Sequence, residues 1–404
     1  MKRSVFWTAV CLSAAWTLPA AAQLSDDTVK IGVATDLSSL YADINGMGTV
    51  LAAQMAIDDF GGTILGKKIE IVYGDIQNKP DVAASLAGRW YSEEKVDMIM
   101  GAGASSSSIA IENVAGEKKK LFLAPDPGSS DITGKFCNPY TVHWVYDTGA
   151  LANVTGSAIV KDGGKDWYFI VADYAFGYAL QRDASDVVTK AGGKIVGEVK
   201  HPINTSDFSS FLLQAQASKA QVIALANAGG DTVNTIKQAA EFGIVKGGQK
   251  LAALLAFVSD VHSLGLERAQ GLRLTEAFYW DLNDKTRAFS KRFGEKYRGK
   301  MPTMSQAGYY SATLAYLNAI KAVGTDNPEK VMAYLKSEKW DDPLFGKSYI
   351  RADGRKMHDM YLFEVKTPAE SKGPWDYYKL IATVPAEQAF RPMDPGACKM
   401  IAKN

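Results

Sequence analysis

Residues 96–110 read VDMIMGAGASSSSIA. An apolar run, 96–100, stops at Gly-Ala-Gly-Ala and four serines, and helical spacing follows in SSIAIENVAGEKKK, 107–120. The pattern predicts a buried strand, a tight turn and a helix start. Working outward, VKIGVA at 29–34 and KIEIVYGD at 68–75 read as earlier strands, and LFLAP at 121–125 as a later one. Between them lie helical patterns: TVLAAQMAIDDF, and a helix opened by Pro80 with Val82, Leu86 and Trp90 on one stripe. Strands alternating with helices imply a parallel sheet covered on both faces.

The alternation restarts near residue 145. ANVTGSAIVKDGG, FGYALQRDASDVVTKAGG, DFSSFLLQAQAS and DTVNTIKQAAEFG predict helices. DWYFIVAD, KIVGEVK, AQVIALAN and KLAALLAF predict the strands between them. GLRLTEAFYW, 271–280, is a further strand, with helices expected at 284–297, 305–323 and 327–336. The last third is strand-rich, with a hairpin around Asp353-Gly354 in KSYIRADGRK and strands in MYLFEVK and DYYKLIATV. The fold class is therefore α/β, with two Rossmann-like lobes on parallel central sheets. Ligands of such sheets bind beyond the carboxyl ends of the strands.

The chain has 404 residues, 47% hydrophobic and 22% charged, with a formal net charge of +1. That length suits about two domains. The balance lacks the basic excess of nucleic-acid binders, so no nucleic-acid partner is expected. MKR, an apolar stretch over 4–18 and Ala20-Ala21-Ala22 match a cleavable secretory leader, 1–22. No later stretch reaches roughly 18 apolar residues, so an exported, released product is expected. Cys137 and Cys398 remain after cleavage. A pair in an exported chain suggests one disulfide, with two separate thiols as the alternative.

Several chemistries lack their residues. GGTILGKK at 61–68 fits G-x-x-x-x-G-K, but it ends in Lys68 and runs helix to strand, so it reads as a turn. G-x-S-x-G, H-E-x-x-H and C-x-x-C are absent. No metal and no cofactor are expected. An exported hydrolase with another triad order is the enzymatic alternative.

Ser105–Ser108 leave two local readings open. Main-chain N–H groups at a helix start, with hydroxyls beside them, can clamp one carboxylate. The other reading is a serine N-cap. DPGSSDITG, 126–134, offers a second loop of the same kind, with Gly128, Ser129 and Ser130. DYAFGYA, 173–179, places Tyr174 and Phe176 at a strand-to-helix loop, where aromatics form an apolar wall. Asp260 closes the last strand of the second unit, and AFYWD at 277–281 adds Tyr279 and Trp280.

In order and spacing, VKIGVATDLSS, FGGTILGKKIEIVYGD, VDMIMGAGASSSSIA, LFLAPDPGSSDITG, KDWYFIVADYAFG and FGIVKGGQKLAALLAF resemble a type I periplasmic substrate-binding protein of ABC transporters, in the leucine/isoleucine/valine-binding group. The resemblance spans nearly all of the chain after the leader. It implies a non-enzymatic, monomeric protein of the periplasm that traps a small-molecule ligand between two lobes. It implies a hinge of three strands, with crossings near 140–146, 270–272 and 337–343. Lobe 1 would hold 23–143 and 272–338, lobe 2 would hold 144–271 and 339–390, and 391–404 would be a C-terminal tail. Its partner would be an inner-membrane ABC permease with a separate ATPase subunit. A sensor domain feeding a signalling partner is the alternative use of the fold.

The resemblance also assigns site residues. Ser106, beside Ser105, matches the serine that holds a ligand carboxylate, with Pro127, Gly128 and Ser129 in the second loop. Tyr41 matches an aromatic lid. Phe176 stands where many relatives carry Tyr, Asn227 where leucine binders carry an aromatic, and Asp260 near the acid that receives the ligand ammonium. Tyr174, Phe176, Tyr279 and Trp280 would suit a flat ring. The implied solute is a small carboxylate: a hydrophobic or branched-chain amino acid, or an aromatic acid.

Overall fold

The computed structural model describes residues 24–401. The expected leader, 1–22, lies outside the described residues. Strands β1 (Thr28–Thr35), β2 (Thr63–Ile64), β3 (Lys67–Asp75), β4 (Met98–Gly101), β5 (Leu121–Ala124) and β6 (Thr141–His143) form one sheet in the order β2-β3-β1-β4-β5-β6. All pairs are parallel except the short β2–β3 hairpin. β4 and β5 are buried on both faces, which explains their unbroken apolar runs. Ile31, Val33, Met98 and Met100 pack toward the helices Gly46–Phe60 and Met304–Val323. The alternate residues Ala34, Ile99, Phe122 and Ala124 pack with Trp90, Ile111 and Ala115 of the helices Pro80–Ser92 and Ser105–Lys118. This is the period-two division of a strand between two covered faces.

A second parallel sheet holds β7 (Asp166–Ala172), β8 (Lys194–His201), β9 (Val222–Ala226) and β10 (Lys250–Ala253), in the order β10-β9-β7-β8. The helices Ala175–Lys190, Ser209–Ala217 and Gly230–Glu241 connect its strands. Two three-stranded antiparallel sheets complete the chain. One is β11 (Arg273–Glu276), β15 (Met360–Val365) and β16 (Tyr378–Val384); the other is β12 (Lys339–Asp342), β13 (Gly346–Ile350) and β14 (Lys356–Met357).

These small sheets move two expected boundaries. β11 pairs with β15 and so stays with residues expected in lobe 2, although 272 was the expected return to lobe 1. The rings of Tyr279, Phe363 and Tyr378 hold it there, 4.7–5.5 Å between centroids. The second passage toward the six-stranded sheet therefore comes after Glu276, ending where the helix Asp284–Lys296 sets Arg292 on Asp59. β12–β14 stays with the first sheet instead. Arg355 bridges β6 at His143, and Trp340 lies 6.1 Å from Trp144. The third passage thus falls between β14 and β15, some fifteen residues past the expected 337–343.

The C-terminal segment straps across these passages. Asn153 Nδ2 donates to Ala389 O (2.8 Å), Arg351 donates to Arg391 O (2.7 Å), and Arg391 donates to Ser130 O. Cys398 then joins Cys137 in a disulfide across 261 residues of sequence. A link closing so long a loop removes entropy mainly from the unfolded chain, about 2–5 kcal/mol of stability. Cys137→Ser, or reduction, is expected to lower the denaturant midpoint accordingly. Equal midpoints with and without reductant would contradict this.

Three aspartates stand buried beyond strand ends: Asp126 after β5, Asp231 after β9 and Asp260 after β10. Burial pushes each up to about 7. A carboxyl held above its unfolded value of about 3.9 keeps its proton better when folded. Its contribution is complete at low pH and is lost as pH rises through 7. The histidines act oppositely, since burial drives His143 and His358 down to about 3, but their effect lies below about pH 6.5. Between pH 7 and 8 each of these aspartates is therefore expected to cost the ligand-free protein roughly 0.3–0.4 kcal/mol of stability. Denaturant titrations at the two pH values check this, and Asp126→Asn should remove one share of the loss.

Candidate ligand-binding cleft

The carboxyl ends of the two parallel sheets face one gap. Loops after β1, β4 and β5 reach it from one side, and loops after β7, β9 and β10 from the other. Between them lies a small cavity; with the solvent space at its mouth it spans about 270 Å³. Tyr41, Ile44, Asn45, Gly103, Asp126 and Gly128 line it from the first sheet, with Tyr146 of the first passage beside them. Tyr174, Phe176, Ala228, Leu255 and Phe257 line it from the second. None of these residues carries a cationic side chain.

The loop after β1 is shaped by Asp36. Its carboxylate accepts from the main-chain N–H groups of Ser39 and Tyr41, both at 2.8 Å. Asn78 donates to the same carboxylate and accepts from Ala104 N at 3.2 Å, tying this loop to the one after β4. Tyr41 is thereby aimed across the gap, where its hydroxyl meets that of Tyr174 at 2.6 Å. The gap is closed at other points too. Gly229 has a φ of +58°, and a Cβ there would stand 2.9 Å from the Tyr41 ring and 3.0 Å from Ile44. Only glycine permits that turn and that approach together. Beside the cavity, Ser130 Oγ donates to Asp183 at 2.6 Å and Arg182 pairs with Asp131 at 2.9 Å. Phe176 lies on Gly128, where a Cβ would come within 2.6 Å of the ring.

The four serines of the opening stretch have four different situations. The helix begins at Ser105, and its N-cap is Ala104, so the serine N-cap reading does not hold. Ser105 Oγ accepts from Gly128 N (3.3 Å) and Ser129 N (3.0 Å), one layer behind the cavity wall. Ser106 is half-buried and absent from the wall. Ser107 Oγ is buried without a partner, and Ser108 Oγ accepts from Ala102 N at 2.9 Å. Ser105 bonds two amides and no imidazole or carboxylate, unlike a hydrolase nucleophile.

Of the other expected residues, Tyr41, Gly128, Tyr174 and Phe176 reach the wall, and the rest do not. Pro127 turns its carbonyl away to accept from His143 Nε2 at 2.6 Å. Ser129 Oγ caps the short helical turn Ser130–Thr133. Asn227 spends its amide on His201, Thr232 and Thr235. Asp260 accepts from Phe257 N at 2.9 Å, capping its own helix Val258–Leu264. Tyr279 donates to Trp375 O at 2.8 Å within the β11–β15–β16 sheet, and Trp280 does the same at 2.7 Å.

Asp126 is the residue that the sequence reading passed over. It is 2% exposed. Tyr309 donates to its Oδ2 at 2.9 Å, and Tyr146 donates to its main-chain oxygen at 2.7 Å. Its Oδ1 is buried without a partner among the described residues, as is Oδ1 of Asn45. The signal was an acid placed directly after a strand, in APDPG, within a loop searched only for donors. Tyr146, Leu255 and Phe257 were missed because apolar and aromatic residues near strand ends also describe ordinary core.

Residues 28–374 match the family model described as periplasmic binding protein. A crystal structure of a periplasmic binding protein from Burkholderia mallei is 55% identical, with a TM-score of 0.88 over 90% of this chain and 96% of that one. A branched chain amino acid ABC transporter periplasmic ligand-binding protein from Burkholderia xenovorans is 43% identical, with a TM-score of 0.80 over 90% of this chain and 97% of that one. The Leu/Ile/Val-binding protein homolog 6 of Brucella melitensis is 25% identical over 363 residues, 87% of this chain and 91% of the relative. With the fold and the two-sided cleft, these matches assign the chain to its family: it belongs to the periplasmic binding proteins.

Proposed function

We propose that this chain is the periplasmic solute-binding component of an ABC uptake transporter and that its cleft takes a small carboxylate-bearing solute with an apolar body. The observation carrying this reading is the lining of the cleft: rings and branched side chains from both sheets, bridged by the Tyr41–Tyr174 hydroxyl pair. A cleft so lined suits a hydrophobic amino acid or a single-ring acid. The family relationship and the names of the relatives support the transport role.

The mechanism is binding without bond chemistry. An open form exposes both loop sets, and a solute that contacts both favours closure. Phe176, Leu255 and Phe257 take the apolar body. Main-chain N–H groups of Ser105–Ser107, at the positive end of the helix Ser105–Lys118, receive the carboxylate. Closure then removes water and strengthens those bonds. The closed protein docks as a monomer on an inner-membrane permease, whose separate ATPase subunit drives uptake. A cleaved leader over 1–22 delivers it to the periplasm.

A thermal-shift and calorimetry panel of hydrophobic amino acids and aromatic acids tests this. A true ligand at a hundredfold excess over its Kd stabilises the protein by about 2.7 kcal/mol. No stabilisation by any member would remove the reading. Within the site, Tyr41→Phe should weaken the ligand up to about tenfold in calorimetry, since one net hydrogen bond across the gap is worth about 0.5–1.5 kcal/mol. Ser105→Ala orphans two buried amides and should cost about 1–3 kcal/mol of stability in denaturant unfolding. Ser106→Ala should change neither measurement beyond error, because the bond proposed there is from main chain. A large affinity loss in Ser106→Ala would return the role to its hydroxyl.

A further inference from the structure

The first-sheet wall of the cavity carries buried acceptors that have no partner among the described residues. Asp126 lines it, 2% exposed, with Oδ1 bonded to nothing among the described residues. Asn45 Oδ1 is a second unpartnered acceptor on the same wall. Several polar groups nearby are already engaged. Tyr146 donates to Asp126 O, the Tyr41 and Tyr174 hydroxyls bond each other, and Ser105 Oγ takes the amides of Gly128 and Ser129. Ser130 N is bonded to Thr148 Oγ1 at 3.1 Å. The loop after β5 therefore offers the cleft an acid.

We infer that Asp126 recognises an ammonium group on the solute, held from the first-sheet side of the cleft. This rests on the reading above that the cleft holds a small solute. A buried carboxylate is costly unless paired and hydrogen-bonded, and no lining residue supplies a cation. The geometry is built in advance. Tyr309, from the helix Met304–Val323, fixes Oδ2 at 2.9 Å, and Tyr146 fixes the main chain. Asp260, where the resemblance placed an ammonium acceptor, is occupied by its own helix cap. The lining residues across the gap, Tyr174, Phe176, Ala228, Leu255 and Phe257, include no acid. The pairing selects among apolar carboxylates: a solute with an amine beside its carboxylate satisfies Asp126, and its deaminated analogue sets a second anion in the same small cavity.

Matched pairs test this by calorimetry on the full mature chain: L-phenylalanine against 3-phenylpropionate, L-leucine against 4-methylpentanoate, and L-tyrosine against 3-(4-hydroxyphenyl)propionate. The amine member of the best-binding pair is expected to bind at least tenfold tighter. Asp126→Asn, which keeps an acceptor for Tyr309, should weaken the amine ten- to a hundredfold and leave the deaminated acid unchanged or tighter. Equal or tighter binding of the deaminated acid by the native chain overturns the inference while leaving the solute-binding reading intact. So does an amine-to-acid ratio unmoved by Asp126→Asn. Failure of every member to bind the native chain overturns both. The native ratio needs no variant, so poor folding of Asp126→Asn does not spoil the test.

Discussion

Two parallel sheets aim their carboxyl ends at one gap, and everything in the cleft follows from that constraint. A strand that stops there hands its chain to a loop with no ladder partner, and each loop must satisfy its own amides. Asp36 does this for the loop after β1, Asn78 joins that loop to the one after β4, and Ser105 closes the loop after β5. These side chains have the types expected of ligand donors and acceptors, yet they hold the scaffold. What remains for a ligand is the residue set the loops leave over: rings, branched side chains, the helix start at Ser105 and one acid.

The passages between the sheets are built by the opposite rule. Lys356 and Asp342 are both essentially fully buried, 2.9 Å apart. Asp342 also accepts from Ser311 Oγ, Leu344 N and Phe345 N. Burial would raise its carboxyl, but Lys356 and Ser311 outweigh it and hold it below the usual range. Burial lowers Lys356 to about 8, against the pull of Asp342. The rings of Trp144 and Phe345 flank the ammonium at 4.9 and 4.4 Å. A pair so fully bonded fixes β12–β14 against the first sheet. From the C-terminal segment, Cys398 reaches back to Cys137 across 261 residues of sequence.

The sheets were legible because their strands divide residues between two covered faces, as Met98, Ile99 and Met100 do. The cleft was legible only in part. The helix starts at Ser105, whose hydroxyl is spent on Gly128 N and Ser129 N, and Ser106 beside it is half-buried and off the wall. Tyr279 follows a strand, but β11 is antiparallel to β15 and belongs to neither parallel sheet, so its end does not face the gap. Local sequence does not distinguish such a strand from the parallel ones before it. Asp126 and Asp260 each follow a sheet strand of the expected kind. Only the turn of the chain decides which acid is consumed by a cap.

That difference between acids carries the most information about the ligand. Asp342 shows that this chain can surround a buried carboxylate with four donors from three elements. Asp260 and Asp231 each find main-chain donors in their own neighbourhood. Asp126 receives Tyr309 on one oxygen, while its Oδ1 has no partner among the described residues, at the wall of the cleft between the sheets. A carboxylate left half-paired destabilises a fold unless something outside the chain completes it. The deficit sits where closure would bury a solute, so the stabilisation lost in the empty protein is recovered only on binding. Partial satisfaction of Asp126 thus couples recognition of the solute to the closed state.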